Sequence, residues 1–93
     1  MPVVTLVLEL CLADVTTSRQ KKHQAEQILV KLRHHFNVAV ADLSKENPSE
    51  PTALGFAAVA RTRREAREIL ERVADAVSAH PQAQILRTAF DDL

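Results

Sequence analysis

The 93-residue sequence holds one glycine, one cysteine, three phenylalanines, and neither tryptophan nor tyrosine. A single glycine excludes a glycine-rich phosphate-cradling loop, because such a loop needs several residues free of Cβ atoms. The lone cysteine, Cys11, excludes an internal disulfide. It lies in an apolar run, so its thiol is expected to be buried and a reducing cytoplasm is the expected setting. Aromatic platforms for stacking nucleic-acid bases are scarce: Phe36 and Phe90 fit core positions, leaving Phe56 as the one candidate for an open sheet face. Neither sign of charge is in excess. Twelve basic residues balance twelve acidic ones, so any attraction to nucleic acid must come from a local patch. No long hydrophobic run is present either: the apolar opening Val3–Leu12 is broken by Thr5 and Glu9 and reaches about half the ~20 residues of a membrane span. It is read as neither signal peptide nor anchor, and no membrane association is expected. With no repeat or glycine-serine linker, residues 1–93 are expected to form one domain around one core.

What is there is patterned. Val4, Leu6, Leu8, Leu10 and Leu12 alternate with Val3, Thr5, Val7, Glu9 and Cys11, which predicts a central strand. Ala25, Ile28, Leu29, Leu32 and Phe36 recur at helical spacing and predict a helix over Ser18–Phe36, with Asn37 as its left-handed end. Val38–Ser44 and Ala53–Arg61 read as antiparallel strands joined by the proline-bearing loop Lys45–Thr52. Thr62-Arg63-Arg64-Glu65 has the capping-box pattern and opens a second helix, with the core stripe Ala66, Ile69, Leu70, Val73, Ala76 and Val77. One-turn pairs Arg64–Glu68, Arg67–Glu71 and Glu68–Arg72 decorate its exposed side, and His80-Pro81 ends it. Ala83–Phe90 completes the chain as a strand.

The order is β-α-β-β-α-β. Right-handed crossovers turn it into an α+β, ferredoxin-like sandwich: a four-stranded antiparallel sheet with both helices on one face. The other face is open, with Val3, Val7 and Cys11 as candidates to line it. Whether Leu54 and Phe56 or Ala57 and Val59 face the helices is left undecided by the pattern.

This order, with Val38-Ala39-Val40-Ala41-Asp42, Ala53-Leu54-Gly55 and Ser78-Ala79-His80-Pro81, resembles the bacterial YlxP-like family, domain of unknown function 503, over nearly the whole chain. Members typically open their first helix with Ser-Leu-Lys-x-Lys-Arg. Here Ser18 and Lys22 match, while Gln20 and His23 stand at two of the basic positions. The tryptophan that many members carry before Ala-x-Leu-Gly is absent. The resemblance implies no enzymatic activity and, from genes that neighbour translation and ribosome-maturation factors, an association with RNA or a ribosomal particle.

The first helix is the locally basic segment, holding Arg19, Lys21, Lys22, Lys31 and Arg33 against the single acid Glu26. Arg19, Lys22, Lys31 and Arg33 are the candidate phosphate contacts; such contacts give salt-dependent affinity with little sequence readout. No nucleophile with its base, carboxylate pair or metal-ligand cluster emerges, and His34 and His35 are adjacent and point apart on a helix. No catalytic residue, metal or cofactor is therefore expected. The alternative function is a protein-interaction module, a homodimer or partner complex formed through the open sheet face.

Overall fold

The computed structural model describes residues 1–93 as β1 (Val3–Leu12), α1 (Ser18–His35), β2 (Ala39–Asp42), β3 (Thr52–Val59), α2 (Arg63–Ser78) and β4 (Ala83–Asp92). The four strands form one antiparallel sheet in the order β2-β3-β1-β4, the expected ferredoxin-like arrangement. Helix α1 packs over β2 and β3, and α2 over β1, β3 and β4.

The alternation in β1 decides which side is core. Val4, Leu6, Leu8, Leu10 and Leu12 are buried beneath the helices, while Val3, Thr5, Val7 and Glu9 are half-buried on the far side. Cys11 shares that outer register and is exposed, so the expectation of a buried thiol fails: an apolar neighbourhood in sequence does not bury the side of a sheet that nothing covers. Register settles β3 as well. Phe56 lies opposite Leu6, and with Leu54 and Ala58 it is buried. At 3% exposure Phe56 belongs to the core and is not available on the open face.

The helices dock through their predicted stripes, with two differences. In α2, Ala66, Leu70, Val73 and Val77 are buried and Ile69 half-buried, but Ala76 is exposed. In α1 the stripe begins one turn earlier than its apolar residues, at Lys21. Helix α1 ends at Phe36, whose backbone is extended (φ −128°) and whose N–H donates to the Leu32 carbonyl. Asn37 is therefore not a left-handed cap. The single positive-φ residue is Asp14 (φ 61°), in the β1–α1 turn, a conformation that aspartate tolerates better than most side chains.

A bulge interrupts the β1–β4 ladder: Leu10 pairs with Ile85 and Glu9 with Arg87, leaving Leu86 as the extra residue. Phe90 lies half-buried against the core, with the Arg67 guanidinium 4.2 Å from its ring centroid. Arg67 thus engages an aromatic face in place of the predicted partner Glu71. Of the three expected ion pairs on α2, Arg64–Glu68 forms, at 3.2 Å.

Candidate nucleic-acid interface

Helix α1 starts at a full capping box one residue ahead of the matched motif serine. The Thr17 hydroxyl accepts from the Gln20 N–H at 3.1 Å, and the Gln20 side-chain carbonyl accepts from the N–H groups of Thr17 (3.2 Å) and Thr16 (2.9 Å). Two orphan amides of the helix start are satisfied reciprocally. At α2 only half of the box is made: the Thr62 hydroxyl accepts from the Glu65 N–H, while the Glu65 carboxylate lies 4.0 Å from Arg61.

The helix therefore begins directly after Thr17, and Arg19, Lys21 and Lys22 lie within its first five residues.

Lys21 is the residue that sequence reasoning passed over. It is 2% exposed, and its ammonium donates to the carbonyls of Lys45 (2.8 Å) and Asn47 (2.9 Å) in the β2–β3 connection. No carboxylate neutralises it. The stem fills the first position of the apolar stripe and the charged tip is held by backbone dipoles, the usual solution for a long cationic side chain at a core boundary. The signal was present: Lys21 stands four, seven and eight residues before Ala25, Ile28 and Leu29, so the stripe's own period includes it.

This clamp draws the loop against the helix start. The resulting depression is lined by Ser18, Arg19, Lys21, Lys22 and Glu26 from α1, Asp42 from β2, and Ser44, Lys45 and Glu46 from the loop, so cations and acids share its wall. Asn47 orders the next turn, its side-chain oxygen accepting from the N–H (3.0 Å) and hydroxyl (2.8 Å) of Ser49.

All four proposed phosphate contacts are exposed, but they do not share one flank. Nine residues at 100° each place Lys22 and Lys31 on opposite sides of α1. Lys22 and Arg19 line the loop-side depression, whereas Lys31 lines one on the α2 side with His35 and His80. The structure brings Arg19, Lys22 and Lys45 together and sets Lys31 apart. None of Arg19, Lys22, Lys31 and Arg33 forms an ion pair, in contrast to Arg61 and Arg64 around α2. The first turn of α1 contains no acid, and its last turn carries Arg33, His34 and His35.

No group of three or more histidine, cysteine, aspartate and glutamate side chains is placed to hold a metal ion. No helix is long and apolar enough to cross a membrane.

Residues 3–90 match the model of the family described as "Protein of unknown function (DUF503)". The chain belongs to this family. It is 25% identical over 84 residues to "Uncharacterized protein YlxP" of Bacillus subtilis (strain 168), an alignment covering 88% of this chain and 91% of the relative. Among solved structures it is similar to "Crystal structure of Putative Chlorite dismutase TA0507", with a TM-score of 0.52 and 13% identity. That match covers 99% of this chain but 44% of the larger one, so this DUF503 chain spans less than half its length, and the likeness is one of fold alone.

Proposed function

We propose that this DUF503 protein is a non-enzymatic binding protein that contacts structured RNA or a ribosomal particle, acting in translation or ribosome maturation. The observation that carries the reading is the unpaired state of the α1 cations. Arg19, Lys22, Lys31 and Arg33 are exposed and free of carboxylate partners, whereas Arg61 and Arg64 lie within 4.0 Å of glutamates one turn away; Arg63 and Arg72 of α2 are unpaired as well. A surface kept soluble by charge alone gains a few tenths of a kcal/mol from each such pair, and α1 forgoes them. Its cationic start also opposes the positive end of its own helix dipole, an arrangement that an anion relieves.

A helix of this length runs about 27 Å, at 1.5 Å per residue, and crosses several phosphates of an RNA strand. Arg19 and Lys22 are the primary contacts, and Lys45, whose ammonium lies 3.9 Å from the Glu50 carboxylate, stands beside them across the clamped loop. Arg33, eleven residues after Lys22 and so within about 20° of it around the helix, extends the track toward the helix C-terminus, while Lys31 offers a separate contact on the opposite side. Contacts of this kind follow backbone charge and shape and do not read base edges, consistent with the burial of Phe56.

Sedimentation of the tagged protein from cell lysate tests the reading. Comigration with ribosomal particles at low salt, lost as salt rises, is the expected result. Migration as a small free species at both salts overturns it.

A further inference from the structure

The sheet face opposite the helices is unlike the rest of the surface. Its β2–β3 half presents Ala39, Ala41 and Leu43, then Ala53, Gly55, Ala57 and Val59, as their register with β1 requires. Seven successive outward positions carry no polar atom in a side chain. Leu43 and Val59, at 52% and 48% exposure, are two of the large hydrophobic residues the fold leaves in water. Charge is confined to the β1–β4 half, where Arg87 lies 3.9 Å from Glu9 and Asp91 stands opposite Thr5 without a cationic partner.

We propose that this face is the interface of a symmetric homodimer, in which two copies stack sheet on sheet with their β2–β3 halves at the centre. A second copy fits better than an unrelated partner for two reasons. An isologous contact brings a surface against itself, so it tolerates no unpaired charge near the axis, and the β2–β3 half, on which the contact is centred, has none. Its small residues also let two sheets approach to the ~10 Å spacing of a sandwich, while the polar groups fall at the rim, as in an ordinary interface.

Area sets the expected strength. Four strands at ~4.8 Å and about eight residues at ~3.3 Å give a footprint of at most about 500 Å² per copy. A total of at most about 1,000 Å² lies at the lower limit for specific association, so a weak, reversible dimer is expected. Both α1 helices remain outward in this assembly, leaving the proposed RNA contacts free, so the two readings fail independently.

Sedimentation equilibrium of the full chain, from about 1 µM to about 1 mM, tests the dimer. The mass should rise from one chain to two. Ala57→Lys on β3 and Ala41→Lys on β2, both at the centre of the contact, should each hold the mass at one chain while circular dichroism shows both variants folded, and Val30→Lys, on the outer side of α1, should dimerise as the wild type does. A one-chain mass at every concentration overturns the proposal and leaves the face to a different partner. So does a dimer that both face variants leave intact, or one that Val30→Lys alone disrupts.

Discussion

The Lys21 ammonium donates to the Asn47 carbonyl at 2.9 Å, linking the first turn of α1 to a loop 26 residues away. With its second bond to Lys45, it makes one buried cation the organiser of the concave surface on which Arg19, Lys22 and Lys45 meet.

Replacing Lys21 by methionine keeps most of the buried stem and deletes the clamp. Stability should fall by about 1–3 kcal/mol, the range for bonds to a charged group less the recovered desolvation of the ammonium. The effect should be concentrated in the loop: backbone amides of 45–50 should exchange faster than those of β3. Uniform exchange and unchanged stability would show that the clamp is incidental.

The two helix caps should differ in strength. Thr17→Ala removes a hydroxyl within a complete capping box and loosens Gln20 as well, whereas Thr62→Ala removes a single bond. Each should cost about 1 kcal/mol, with Thr17→Ala the larger. Urea denaturation of both variants checks the order, and a larger loss at Thr62 would reverse the account of how α1 is started.

Gly55 is the chain's single glycine, and Leu43 explains it. A Cβ at position 55 would stand 2.7 Å from Leu43 Cδ1, a flexible side-chain end that can swing aside at a modest cost. Glycine in a strand otherwise costs roughly 0.5–1 kcal/mol relative to alanine. Gly55→Ala should therefore be neutral or slightly destabilising in the wild type, yet stabilising by about that amount in a Leu43→Ala background. A double-mutant cycle measures the coupling, and additivity would contradict the packing of Leu43 over Gly55.

Much of this architecture was legible because periodicity and punctuation agreed. The alternation of β1, the stripe of α2 and the Thr62 cap each point to one structure, and the six elements follow in the expected order. What escaped was information carried by tertiary context. Both faces of β1 are rich in apolar residues, so sequence could not tell that Cys11 lies on the uncovered one. The apolar residues of β3 fill both registers, and only its pairing with β1 places Phe56 inside. Lys21 reads as one more lysine of α1 because its charge outweighs its position on the stripe. The candidate interface was partly legible for the same reason: cationic residues can be counted along a helix, but the loop that brings Lys45 beside Arg19 and Lys22 is fixed by backbone carbonyls, which leave no mark in a sequence.

The most direct test of the central claim is the salt dependence of binding to purified ribosomal particles, measured for the wild type, for the double variant Arg19→Glu/Lys22→Glu, and for Arg63→Glu/Arg64→Glu at the start of α2. If the α1 cations contact phosphates, reversing Arg19 and Lys22 weakens binding and lowers the slope of log K against log salt by about one for each phosphate left without its cation, while the α2 variant leaves the slope near that of the wild type. An unchanged affinity and slope after charge reversal on α1 would contradict the account.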